Sequence, residues 1–127
     1  MENIHIRRNP NTPDKPEVVF DAETGICEIT GESYMESTYT FYLPLMNWLD
    51  EYIEKVGGKI TFNVKLVYFN TSATKCLLDI FEILKKYQQK GGEIEINWYY
   101  DKEDPDVHEE VKDFEIEADI DINLREF

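Results

Sequence analysis

The chain reads as a mixed α/β (α+β) protein: a mixed β-sheet with helices packed mainly on one face. Three observations predict this. Ile60, Phe62, Val64 and Leu66 alternate with polar residues, which is strand periodicity. Immediately afterwards Cys76, Leu77, Ile80, Phe81, Leu84 and Tyr87 recur at helical spacing. A second helical pattern precedes this pair and another alternating stretch follows it, so strands and helices interleave. A strand, helix, strand succession places its two strands parallel through a right-handed crossover.

Residues Met1 to Lys15 form a short arm, because Arg7, Arg8, Asn9, Pro10, Asn11 and Pro13 punctuate rather than pack. The arm has room for a strand at Ile4 to Arg7. Glu17 to Phe20 and Ile26 to Thr30 are strands joined by a turn at Asp21 to Gly25, where the glycine supplies any positive φ. Leu45, Trp48, Leu49, Tyr52, Ile53 and Val56 then mark an amphipathic helix ended by Gly57-Gly58, and Trp48 reads as core. Pro44 leaves two starts open: either the helix begins near Leu43, or an earlier turn from Ser37 is bent at the proline. The strand Lys59 to Phe69 follows, then a turn at Asn70-Thr71 and a helix running to about Lys90, closed by Gly91-Gly92. Glu93 to Tyr100 is the next strand, with Ile94, Ile96, Trp98 and Tyr100 on one face.

From Asp101 onward twelve acidic side chains stand against Lys102, Lys112 and Arg125. Asp104 to Asp113 suits a polar helix, with Pro105 in its first turn. Ile116, Ala118, Ile120, Ile122 and Leu124 alternate with acidic residues and Asn123, which predicts an acidic edge strand that resists edge-to-edge aggregation. Residues 101–127 are therefore an acidic connector and edge strand within one domain spanning 1–127.

A chain of 127 residues is long enough to bury a core without disulfides or a metal. The net charge of −14 excludes nucleic acid and anionic membrane surfaces as natural partners and favours a protein with a basic face. Cys27 and Cys76 form no disulfide or zinc framework, and Cys76 falls on an apolar helix face. No secretory leader pattern and no apolar run of about 20 residues is present, so the expected location is the cytoplasm.

Enzyme signals are poor. There is no phosphate-binding loop, dinucleotide-binding glycine pattern, serine elbow or HExxH, and no cofactor is expected. Asp101 to Asp106 superficially suggests a calcium loop but lacks the sixth-position glycine and the ligand spacing, so no metal is expected either. The informative stretch is Asn70-Thr71-Ser72-Ala73-Thr74-Lys75, a strand-to-helix turn. Asn70 or Thr71 there is an ordinary helix cap. The same place also favours an anion, and the hydroxyls of Thr71, Ser72 and Thr74 are each open to phosphorylation.

Gly31-Glu32-Ser33-Tyr34-Met35-Glu36, Phe41-Tyr42-Leu43-Pro44 with Trp48, Tyr68-Phe69-Asn70-Thr71-Ser72 with Lys75, and Trp98-Tyr99-Tyr100-Asp101 together resemble the SiaC family of bacterial regulatory phosphoproteins. The resemblance runs from about Thr12 to Phe127, with departures at Met35, where proline is usual, and at Ala73-Thr74, where serines are. It implies a fold similar to the anti-sigma-factor antagonist (STAS) domain, with Thr71 as the phosphoacceptor. It also implies a non-catalytic switch: a cognate serine/threonine kinase phosphorylates the threonine, and a PP2C-type phosphatase reverses it. The unmodified protein then binds and activates a diguanylate cyclase in cyclic-di-GMP signalling and biofilm control. Asn70, Ser72 and Lys75 are expected to contact partners by their adjacency to Thr71. Tyr34 and Glu36 either contact a partner or cap the following helix. The competing readings are an anti-sigma-factor antagonist that binds an anti-sigma kinase and, from another class, a small acidic enzyme or metal-binding domain.

Overall fold

A computed structural model describes all 127 residues. The elements are β1 (Ile4–Ile6), β2 (Glu17–Phe20), β3 (Ile26–Ser33), α1 (Thr38–Lys55), β4 (Ile60–Phe69), α2 (Thr71–Gln89), β5 (Ile94–Tyr100), α3 (Val107–Ala118) and β6 (Asn123–Glu126). One sheet holds all six strands in chain order. β1, β2 and β3 pair antiparallel, whereas β3, β4, β5 and β6 pair parallel through α1, α2 and α3. Each parallel strand is laid beside its predecessor in the same direction, so crossovers of one hand put all three helices on the same side of the sheet.

The register makes that side apolar. Phe20 stands beside Cys27, Cys27 beside Phe62 and Phe62 beside Ile96, while Val18, Ile29, Val64, Trp98 and Leu124 form the next row. All of these but Leu124, which packs against the edge half-buried, join the inner faces of the helices in one cluster of 29 buried side chains. Phe62 lies at its centre, edge-on to Phe20 at 5.8 Å and to Phe81 at 6.3 Å between ring centroids. Trp48 belongs to the same core, stacked on Tyr52.

The opposite face carries no helix, and by the same period of two most of its residues are polar, with Val19, Ile26 and Tyr99 standing among them. Asn63 Nδ2 donates to Glu28 (3.1 Å), and Asn97 Nδ2 donates to Asn63 Oδ1 (2.9 Å) and to Glu95 (2.8 Å). Asn97 Oδ1 in turn accepts from Asn123 Nδ2 and Arg125 Nε, both at 3.2 Å. This chain of amides crosses four strands and leaves no buried side-chain polar atom unpaired.

Two local features differ from simple pattern reading. Helix α1 starts at Thr38 and continues through Pro44, which resolves the two possible starts in favour of the earlier one. Thr40, whose carbonyl loses its partner at the proline, and Pro44 itself are both exposed, so water can take the freed carbonyl. The strand expected at Ile116 to Leu124 is not there. α3 extends to Ala118, Ile116 is 70% exposed, and β6 begins only at Asn123. Val107, Val111, Phe114 and Ala118 set the helical face and bury it, and that burial overrides the competing alternation. Asp119, in the left-handed conformation at φ 51°, ends the helix; Ile120 and Ile122 then fill the core from a linker rather than a strand.

Candidate functional site

The parallel strands end, and their helices begin, along one rim of the sheet, the usual place for a site in α/β folds. β4 reaches this rim through an irregularity. Gly31 pairs with Leu66, but the next residue, Glu32, pairs with Tyr68, so Val67 is an extra residue in β4. Strict alternation would send Tyr68 into the core after Leu66. The bulge instead turns Tyr68 outward, 55% exposed, and carries Phe69 inward against Trp98 (5.5 Å) and Phe114 (6.1 Å). Gly31, at φ 112°, supplies the backbone conformation opposite it.

Asn70 follows and closes α2. Its backbone is extended, and its Oδ1 accepts from Ala73 N at 2.9 Å, the bond of an N-cap. Its N–H donates to Ser33 O at 3.0 Å, which ties the turn to the end of β3. The hydroxyls nearby separate by commitment. Thr74 Oγ1 donates to Asn70 O at 3.2 Å. Ser33 is fully buried and shares a 2.8 Å hydrogen bond with the Tyr42 hydroxyl, whose pKa burial pushes up to about 12. Thr71 and Ser72, the first two residues of α2, are exposed and tied to neither.

Lys75 lies one turn beyond Thr71, at the i+4 spacing that faces two side chains together, and is exposed and outside every ion pair of the chain. It lines a recess of about 400 Å³ with Ser72 and Asp79 of α2 and with Glu36, Thr38 and Tyr39 at the start of α1. The first turns of two helices thus meet beside the Asn70-Thr71 turn, and neither carries an acidic residue of its own. In the recess wall the pKa of the Cys76 thiol is pushed up by burial, then by Asp79. On the other flank, the Tyr34 ring meets Tyr68 edge-on at 5.6 Å. Tyr34, Tyr39, Val67 and Tyr68 are all exposed apolar or aromatic side chains around one turn.

The structure therefore brings together all six residues singled out in the sequence: Asn70, Thr71, Ser72, Lys75, Tyr34 and Glu36. Asn70 is the cap, Thr71 and Ser72 are accessible, Lys75 and Glu36 share the recess, and Tyr34 forms part of an aromatic pair. Neither Tyr34 nor Glu36 caps α1; there Thr38 Oγ1 donates to Met35 O at 2.7 Å and Ser37 makes no side-chain cap bond. Sequence reasoning missed Tyr68, Val67 and Tyr39 as members of the surface. The visible signal was the break in alternation at Val67-Tyr68-Phe69, which a bulge explains.

An uncommitted hydroxyl at the start of a helix, beside an unpaired lysine, is chemically suited to carry a phosphate. The chain belongs to the SiaC family of regulatory phosphoproteins, whose family model matches residues 9–127. An uncharacterized protein of Pseudomonas aeruginosa strain UCBPP-PA14 is 27% identical over 114 residues, spanning 90% of this chain and 88% of that protein. The crystal structure of apo-SiaC from P. aeruginosa is 25% identical and superimposes with a TM-score of 0.87 over 98% of this chain and 99% of that one. A crystal structure of the P. aeruginosa diguanylate cyclase SiaD in complex with its activator SiaC holds a similar chain, 24% identical, with a TM-score of 0.89 over 98% of this chain and 99% of that one.

Proposed function

We propose that this chain is a non-catalytic, single-domain cytoplasmic switch that binds and activates a diguanylate cyclase when Thr71 is unmodified and releases it when Thr71 is phosphorylated. Family membership and the likeness to the activator in the cyclase complex support the partner class. The family resemblance selects Thr71, and the observation that supports it is the exposed, uncommitted hydroxyl at the first position of α2, one turn from Lys75 and on a turn flanked by the Tyr34–Tyr68 pair. A serine/threonine kinase writes the phosphate and a PP2C-type phosphatase removes it.

The physics of the turn suits this role. A phosphate adds about −1.5 to −2 charges at a helix N-terminus, where the free N–H groups and the dipole accommodate it for a gain of about 0.3–1 kcal/mol. Lys75 at i+4 adds a counter-charge. The domain therefore stays folded on modification, and the effect falls on the partner. A cyclase surface packed on Tyr68 and on a neutral Thr71 would meet a desolvated dianion instead, at a cost of several kcal/mol.

The test compares cyclase affinity and melting temperature for the wild type, Thr71→Ala and Thr71→Asp, together with mapping of the modified residue after incubation with the kinase and ATP. Thr71→Ala is expected to bind like the unmodified protein, and Thr71→Asp to bind far more weakly at a melting temperature no lower than that of the wild type. An aspartate variant that binds as tightly as wild type, or a phosphate found on Ser72 or Thr74, overturns the reading.

A further inference from the structure

Beyond the Thr71 turn, we propose that the groove between α2 and α3 docks a cationic amphipathic helix of a partner protein. The floor of the groove is apolar: Phe69 from the end of β4, Leu78 from α2 and Phe114 from α3. Its α3 side is lined by Glu110, Asp113 and Glu117, spaced three and four residues apart so that they share one face of the helix. No lysine or arginine lines it, and none of the three carboxylates belongs to an ion pair. What sets these carboxylates apart is their place beside an apolar floor, with all three on one helix face.

The groove has a volume of about 230 Å³. That is smaller than the roughly 300–1,000 Å³ of a small-molecule site and suits the anchoring side chains of a helix instead. Apolar floor and acidic wall together ask for a ligand with aliphatic anchors on one face and lysine or arginine beside them, read at helical spacing. Glu110 adds a second argument. It is half-buried, and burial first, then Asp104 and Asp106, hold its carboxyl above the ordinary value of 4.5. A carboxylate desolvated among like charges gains from an incoming cation more than an exposed one does. An anionic lipid surface or nucleic acid would meet repulsion at the same wall.

The probe is a short synthetic amphipathic helix of leucine and lysine, titrated into the full chain at low and high salt, with NMR shifts mapping where it lands. Two control peptides accompany it: one of the same composition with scrambled order, and one with glutamate in place of lysine. The reversal Asp113→Lys with Glu117→Lys changes only exposed side chains, so the fold is retained. The expected result is binding that moves the Leu78 and Phe114 signals, weakens with salt and falls at least about tenfold in the double reversal. Equal binding of the scrambled or acidic peptide, no binding of the lysine peptide, an unchanged affinity in the reversal, or shifts confined to another surface overturns the proposal. Thr74 of the same turn also lines the groove, so every titration uses the unphosphorylated chain, which keeps the outcome separate from the phosphorylation switch.

Discussion

The cap and the proposed switch at the start of α2 occupy adjacent residues, and substitution at Asn70 tells them apart. Asn70→Ala removes one bond, from Ala73 N to Oδ1 at 2.9 Å. The backbone bonds of residue 70 to Ser33 and Thr74 survive, so the loss is that of a cap alone, about 1 kcal/mol. A domain of 127 residues unfolds with an entropy of about 0.27 kcal/mol per kelvin, so the melting temperature should fall by about 4 °C. Asn70→Asp keeps the acceptor and adds a negative charge at the positive end of the helix, which restores the stability or exceeds it by about 0.3–1 kcal/mol. The same charge stands next to Thr71 and opposes a dianion there, so the aspartate variant should be phosphorylated more slowly although it is the more stable protein. Denaturant titration, calorimetry and an initial-rate phosphorylation assay measure the three quantities. An alanine variant with the wild-type denaturation midpoint, or an aspartate variant as unstable as alanine, would refute the assignment of Asn70 as a working cap.

The bulge at Val67 predicts that neighbouring aromatics have opposite roles: Phe69→Ala should cost at least about 2 kcal/mol more than Tyr68→Ala in denaturant titration, because Phe69 fills the space beside Trp98 and Phe114. Tyr68→Ala should instead weaken cyclase binding while leaving the denaturation midpoint near that of wild type. At Glu110 the sign runs the other way from a salt-bridged acid: its folded-state pKa is raised, so its contribution is favourable below the ordinary value of 4.5 and is lost as pH rises through the folded value. Glu110→Gln should therefore raise the melting temperature at neutral pH and leave it unchanged in acid below that value; a gain of the same size at both would refute the burial argument.

Much of the architecture was legible in the sequence. Ile60, Phe62, Val64 and Leu66, and the helical run from Cys76 to Tyr87, define the central β4-α2 pair because burial on one face enforces a period. The candidate turn was equally visible, since Asn70 stops an apolar run with a capping amide. The C-terminal region misled because Ile116 to Leu124 satisfies a strand period while Val107 to Ala118 satisfies a helical one. Which of two overlapping patterns wins depends on what lies opposite. Here it is the ring of Phe114 packed on Phe81 at 5.4 Å and on Trp98 at 5.3 Å that holds the helix.

By itself the sequence determined the order and kind of most elements, the acidity that sets the class of partner, and the resemblance that singles out Thr71. These follow from local spacing, capping chemistry and charge, all of which are properties of neighbours in the chain. Only the tertiary structure decided that Ser33 is buried on Tyr42 and that Thr74 is bonded back to Asn70. It also decided that Tyr34 comes from thirty-odd residues away to meet Tyr68 across a one-residue bulge. Accessibility and pairing between distant segments depend on strand register, and a single inserted residue in β4 reverses which aromatic faces the core and which faces solvent.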